Sequence, residues 1–354
     1  MKILFDHQIF SSQVFGGISR YYVQLIKRLG VKWELPLFRS NNFYLKELMT
    51  IPEFLPHINF RGKNRILERL NRIKAIYAVR RGDFDIFHPT FYGGYALPSL
   101  KNKPMVLTLH DMVHDRFPEL PAAQWEKKEK FTMAHRAEAI IVPSKFTADE
   151  LMALYDIPAH KIHIVRHGGP EWKIPSVPPA ENRFLFVGTR IGYKNFPVVL
   201  KALKMVPGST LFIAGPPLSR TESTLVNDLG IRERIKVVEA SDEELKKLYA
   251  SSSALIFPSR MEGFGLPVLE AFAANCPVIC SDIPVFHEVC GDAALYFPHD
   301  SPTALAGAMK ENMKHRFTEN IARQRAKFSW EKCAAETRSV YEKVLQSGNG
   351  LGMP

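Results

Sequence analysis

Residues 257–271 read FPSRMEGFGLPVLEA, and this stretch decides the fold. It closes an apolar run, residues 254–258, of a length suited to a buried strand. Gly263 and Gly265 open a loop after it, and Pro267 suits the first turn of a helix, where its missing N–H costs nothing. Glycines at a helix entrance bare backbone N–H groups that can hold a phosphate or a sugar hydroxyl. Glu262 lies in the loop and Glu270 about one turn into the helix, facing the same site. A carboxylate accepts paired hydrogen bonds from vicinal hydroxyls, as the acidic residue of a dinucleotide fold does with a ribose. An acid that favours the helix dipole accounts for one of these glutamates, not for the pair with its glycines.

Working outward, the same strand-then-helix rhythm runs along the whole chain. Apolar runs at 2–6, 84–88, 105–109, 139–142 and 162–165 read as strands in the first half. Runs at 184–188, 211–215, 236–239, 254–258, 277–281 and 294–297 read as strands in the second. They are continuous rather than alternating, which suits strands covered on both faces. Alternation with helices then implies parallel sheets. Between the halves, residues 168–179 (GGPEWKIPSVPP) hold four prolines and two glycines and resist both helix and central strand. The expected organisation is a domain over 1–170, a linker over 171–182 and a domain over 183–327. A length of 354 residues fits two domains better than one. The fold class expected is α/β, two doubly wound Rossmann-like domains facing each other across a cleft, with ligands beyond the carboxyl ends of the strands.

Three further motifs fall at such strand ends. Gly16 and Gly17 precede a helix from about residue 21, where backbone N–H groups can meet an anion; a plain tight turn explains them equally well. His110 and Asp111 end MVLTLHD, residues 105–111, so His110 is a candidate donor to a phosphate or hydroxyl, with Asp111 to orient it. His88, at the end of the preceding strand, is a lesser candidate. Residues 186–195, FVGTRIGYKN, run from a strand into a glycine loop bearing Arg190 and Lys194. Two cations aimed at one site beyond a sheet suit a diphosphate; two solvated surface charges are the plainer reading.

Composition narrows the class. Hydrophobic residues are 46% and charged residues 23%, ordinary for a globular protein and unlike a disordered chain. No apolar run approaches the roughly 18 residues of a membrane span. The opening MKILFDHQIF has Asp6 and His7 after only three apolar residues, so no export signal is expected and a cytoplasmic location is. Cys276, Cys280, Cys290 and Cys333 lack the spacing of a zinc site and read as reduced, mostly buried thiols, with no metal expected. The net charge of +11 is uneven: residues 1–170 hold 25 basic and 16 acidic residues. Within them, residues 61–81 hold eight basic residues and one Glu, with Ile66, Leu70, Ile73 and Tyr77 at helical spacing. This basic amphipathic helix is either packed with a solvated outer face or drawn to an anionic membrane surface, peripherally at the inner face. Nucleic acid ranks last, because no RNA-binding aromatic motif, zinc finger or basic heptad region accompanies the charge.

Together these motifs resemble the retaining GT-B glycosyltransferases, whose hallmark is two glutamates separated by seven residues. Glu262 and Glu270 match that spacing, and Gly263, Phe264, Gly265, Leu266 and Pro267 match its filling. The resemblance extends to Gly16-Gly17, His110-Asp111, Pro143-Ser144, residues 188–195 and 271–278, and Ser329-Trp330-Glu331. The segments DHQIF…GGISRYY and VGTRIGYKN look like bacterial enzymes that build surface polysaccharides, lipopolysaccharide among them.

The resemblance implies a nucleotide-sugar co-substrate, GDP-mannose or a UDP-hexose, no cofactor, and a glycan or lipid-linked acceptor. It implies that Glu270 binds the ribose and Glu262 the donor sugar, helped by backbone N–H groups at Gly263, Phe264, Gly265 and Leu266. Lys194 and Arg190 would hold the diphosphate, Gly16 and Gly17 would close on it, and His110 would line the sugar site. Asp111, His88 and Ser144 are candidates either to meet the acceptor or to support, from behind, the residues that touch a ligand. It also implies metal-independent transfer with retention by same-face displacement, and a last helix, within 328–354, that packs back on the first domain. Two departures stand out: Thr189 intervenes between Gly188 and Arg190, and Gly168-Gly169 replace the usual Asn-Gly-Val. A sugar-nucleotide epimerase or a glycan phosphorylase shares the architecture. A two-domain solute-binding protein would need an export signal, and a nucleic-acid-binding protein fits the charge alone.

Overall fold

A computed structural model describes residues 1–50, 63–173, 180–311 and 318–350. Residues 61–62 of the basic segment and 174–179 of the linker lie outside them. The chain forms two compact units: Met1–His167 together with Trp330–Pro354, and Gly168–Ser329.

In the first unit, β1 (Lys2–Phe5), β2 (Lys32–Glu34) and β3 (Ile86–His88) form a parallel ladder in the order β2-β1-β3. A second parallel ladder holds β4 (Val106–Thr108), β5 (Ala139–Val142) and β6 (Ile162–Ile164). One parallel bridge, Phe87 to Met105, joins the two. Phe5, Phe87, Leu107 and Ile141 are fully covered, so helices shield both faces, as continuous apolar runs require. β2 has no counterpart in the sequence reading: it is three residues long and only partly buried.

The helix Trp330–Gly350 belongs to this unit and packs on the helix Gly17–Arg28. Three contacts fix it. Tyr341 pairs with His88 Nδ1 at 2.6 Å, Arg28 bonds Glu331 at 2.5 Å, and Trp330 lies on His167 with ring centres 6.2 Å apart. A hydrogen bond between buried neutral groups contributes about 1 kcal/mol, and orphaning one partner costs more.

The basic helix spans Lys63–Arg81. Its orientation differs from the one its periodicity suggests for a packed helix. Ile66, Leu70, Ile73 and Tyr77 are 40% to 66% exposed, whereas Asn71, Ala75, Ala78 and Val79 are buried. Asn71 is the anchor: its amide oxygen accepts from the backbone of Phe38 at 2.7 Å, and its nitrogen donates to Arg39 O at 2.7 Å and to Ser11. Small residues and one satisfied amide let this side approach the unit closely, leaving the larger apolar residues outward. Among the described residues no helix is long and apolar enough to cross a membrane.

The second unit is one six-stranded parallel sheet: β7 (Arg183–Val187), β8 (Thr210–Ala214), β9 (Ile235–Val238), β10 (Ala254–Phe257), β11 (Val278–Ser281) and β12 (Ala294–Phe297). Its order is β12-β11-β10-β7-β8-β9. The winding therefore reverses between β7 and β10, and the crevice beyond the carboxyl ends of those two strands is where such a sheet binds ligands. Gly188 (φ +109°) and Gly215 follow β7 and β8. A Cβ on Gly215 would sit 2.5 Å from the Gly188 carbonyl oxygen, so the two loops approach to a distance only glycine permits. All four cysteines are buried and unpaired.

Candidate functional site

The loops after β7 and β10 meet at the reversal point of the sheet. Lys194, in the short turn Gly192–Lys194, donates to Glu262 Oε1 at 2.5 Å, bridging 68 residues of chain. Both side chains are mostly shielded, at 16% and 12% exposure, so this contact is less screened than a surface pair. The backbone fixes it further: Arg260 N donates to Tyr193 O at 2.8 Å. Lys194 lies 5.0 Å from the Tyr193 ring centre and 5.3 Å from that of Phe257, aromatic faces that favour a cation. Asn195 then turns left-handed (φ +53°) and donates to His299 O, launching the helix Phe196–Lys204.

From Glu262 the chain runs to the helix Leu266–Ala273, capped by Gly265 at φ +106° with Pro267 in the first turn. Only glycine adopts that cap readily, and its entry leaves the first N–H groups of the helix without intrahelical partners. The ring of Phe264 packs edge-on against Phe328, pinning the loop. Leu266 is the first helical residue. Glu270, one turn on, is buried and accepts from the Tyr249 hydroxyl at 2.9 Å. Tyr249, on the helix Asp242–Ala250, carries no motif and was not legible in the sequence.

Arg190 has a carboxylate partner of its own. Its Nε donates to Glu222 Oε1 at 2.8 Å, and Nη2 donates to the carbonyls of Pro216 and Pro217 at 2.9 and 2.7 Å. Glu222 thus neutralises it, and the guanidinium ties the loop after β7 to the loop after β8; Nη1 alone lacks a partner among the described residues. Burial would raise the Glu222 carboxyl, but the bonds from Arg190 and Ser219 outweigh that and hold it below its ordinary value.

In the first unit, the helix Gly17–Arg28 begins at Gly16, and Gln13 folds over its N-terminus, accepting from Ser19 N at 3.3 Å. Gly17 is its first residue. His110 follows β4 and is buried against Tyr21, Tyr22 and His167. Burial lowers its pKa to about 4, so at neutral pH it is an uncharged imidazole. Its Nε2 is buried and has no hydrogen-bond partner among the described residues, which leaves it for a ligand to satisfy.

The other three candidates of this unit have partners within the protein, as supporting residues would. Asp111 does not orient His110: its Oδ1 accepts from Val113 N at 2.9 Å and lies 3.7 Å from Lys130 Nζ. His88 is not available to an acceptor, because Nδ1 pairs with Tyr341 and Nε2 with Thr108 at 2.8 Å; burial lowers its pKa to about 3, and its part is to hold the last helix. Ser144 caps the helix Lys145–Tyr155, accepting from Thr147 N at 3.1 Å.

Asp111, His114 and Glu126 bring three ligand atoms within 4.8 Å, the spacing of a cation site. The fully buried Lys130 occupies that role already: its ammonium lies 2.9 Å from Glu126 and 3.5 Å from Asp115, and donates to Asp111 O at 2.9 Å. Burial alone would lower the Lys130 pKa, but these carboxylates hold it above its ordinary value.

The comparisons with known proteins agree with this architecture. Residues 171–328 match the model described as glycosyl transferases group 1, and residues 15–168 match glycosyltransferase family 4. The chain belongs to the group 1 glycosyltransferases, two-domain α/β enzymes of the GT-B fold. It is 28% identical to the O-antigen chain mannosyltransferase B of Escherichia coli, over 97% of this chain and 100% of that one. It is 30% identical to the O-antigen chain mannosyltransferase RfbU of Salmonella typhimurium, over 61% and 62% of the two chains. Sucrose-phosphate synthase from Thermosynechococcus elongatus has the same fold, with a TM-score of 0.74 at 18% identity over 98% and 99% of the two chains.

Proposed function

We propose that this glycosyltransferase moves a sugar, with retention, from a nucleotide-sugar donor to a growing glycan on a lipid carrier, as a step in bacterial surface-polysaccharide synthesis. GDP-mannose is the preferred donor and a UDP-hexose the alternative. The mannosyltransferase relatives support the first. The observation that carries the reading is the Lys194–Glu262 contact at the β7/β10 reversal.

Lys194 takes the donor's diphosphate and Glu262 the hydroxyls of its sugar. One ion pair then becomes two charge-assisted contacts, each stronger than a neutral hydrogen bond. The N–H groups from Gly263 to Leu266 add donors at the helix entrance, and Glu270 takes the ribose. In the reaction the bond from C1 to the phosphate oxygen breaks and its electron pair leaves with the diphosphate. The acceptor hydroxyl attacks C1 from the same face and its proton passes to the departing phosphate oxygen. Charge develops on that oxygen, so a preformed ammonium beside it lowers the barrier. Glu262 is not assigned as a nucleophile, unlike the close carboxylate pair of a retaining glycosidase. His110, neutral and with Nε2 unpartnered, is suited to a sugar hydroxyl.

Lys194 takes the place of a divalent ion, so transfer is expected to proceed at its full rate in EDTA. Loss of activity restored by Mg²⁺ or Mn²⁺ would contradict that. Glu270→Ala is expected to weaken nucleoside diphosphate binding about tenfold to a hundredfold, the range for a hydrogen bond to a charged group. Calorimetry showing unchanged affinity would remove Glu270 from the ribose site.

A further inference from the structure

The helix Lys63–Arg81 presents a surface that the transfer chemistry does not use. At 3.6 residues per turn, Ile66, Leu70, Ile73 and Tyr77 fall within about 60° of one another, on the side opposite the buried Asn71, Ala75, Ala78 and Val79. Four large apolar side chains in one exposed stripe are unlike the scattered apolar residues of an ordinary surface. The same spacing sets Arg69 and Arg80 along one edge of the stripe and Lys74 along the other, with Arg65 and Arg72 further round. Arg65, Arg69, Arg72, Lys74 and Arg80 are all exposed, with Lys74 Nζ donating to Leu37 O at 2.8 Å and Arg80 Nε to Ser99 Oγ at 3.3 Å, and the one acid, Glu68, projects away from the stripe. Phe38, half exposed, adjoins the helix through the bond from its N–H to Asn71.

We infer that this face docks the first unit on an anionic lipid bilayer, with the helix lying in the plane of the interface. Ile66, Leu70, Ile73 and Tyr77 enter the acyl boundary, and the flanking arginines reach the lipid phosphates, while Lys74, bonded to Leu37 O, adds its charge at the other edge. Long basic side chains flanking an apolar stripe can bury their stems and keep their charge among headgroups. The charge complementarity selects this occupant: a neutral protein surface would leave the basic edges unmatched, and nucleic acid would leave the apolar stripe in water. The inference does not depend on the identity of the donor or on the transfer step.

Cosedimentation of the full chain with vesicles tests it. Binding is expected to vesicles of phosphatidylcholine with about 30 mol % phosphatidylglycerol and to be at least tenfold weaker to phosphatidylcholine alone. Replacing Ile66, Leu70, Ile73 and Tyr77 together by Gln is expected to lower partitioning at least tenfold at every salt concentration. Arg65→Gln, Arg69→Gln and Arg80→Gln together are expected to lower it chiefly at low salt, because charge attraction is screened at about 0.5 M. Donor binding, read by thermal shift, should match wild type in both variants, separating this face from the proposed donor site. Equal partitioning of wild type and the apolar variant would overturn the inference. So would self-association abolished by that variant without vesicle binding, which would make the face a protein interface.

Discussion

Replacing Glu262 by Gln is expected to lower kcat by about 10²–10³, the loss typical of removing one preorganised electrostatic partner of a transition state. Gln keeps the shape and can still meet a hydroxyl, so donor KM should change far less. The removed charge matters for two reasons. Positive charge develops on the sugar as the bond to phosphate breaks, and a carboxylate beside the ring stabilises it. Glu262 also receives Lys194 at 2.5 Å and so sets where the ammonium stands before the donor arrives. The check is the initial rate of nucleoside diphosphate release in the presence of acceptor, with the melting temperature as a control for folding. Transfer at the wild-type rate would take Glu262 out of the site.

Lys194→Ala should have the larger effect on kcat/KM, a fall of about 10³ or more, because the ammonium is asked to bind the diphosphate and to stabilise it as it leaves. Both kcat and KM should worsen, which distinguishes it from Glu262→Gln. Affinity for the bare nucleoside, which carries no phosphate, should stay unchanged. Lys194→Arg should recover little, since a planar guanidinium is not a compact point charge and would crowd Tyr193 and Phe257. Equal loss of nucleoside and nucleoside diphosphate affinity would mean a collapsed site rather than a missing charge.

Much of this was readable from residues alone, because parallel strands buried on both faces leave long apolar runs. β2 escaped notice since three partly buried edge residues make no such run. The motif FPSRMEGFGLPVLEA announced its glycine cap and proline, and both sit where helix physics puts them. What the sequence could not carry was neighbourhood. Lys194 and Glu262 meet because β10 lies beside β7, an order written in the topology and in no local pattern. The adjacency of His110 and Asp111 invited a pair, yet past a strand end consecutive side chains diverge, and Asp111 turned to Lys130. The spacing of Arg190 and Lys194 suggests two cations on one ligand, but not that each has a carboxylate partner far off in sequence, Glu222 for the first and Glu262 for the second. Periodicity in the basic helix fixed the element but not which side packs, and Asn71 with small alanines won over Ile66 and Tyr77.

The central claim is that the β7/β10 reversal of the second unit holds a nucleotide sugar by its diphosphate. Titration calorimetry with GDP-mannose, UDP-glucose and the matching nucleoside monophosphates tests it most directly. Binding of a nucleotide sugar, markedly tighter than its monophosphate and lost in Lys194→Ala, is the result expected. Absence of binding by any nucleotide sugar, or equal affinity in wild type and Lys194→Ala, would contradict it.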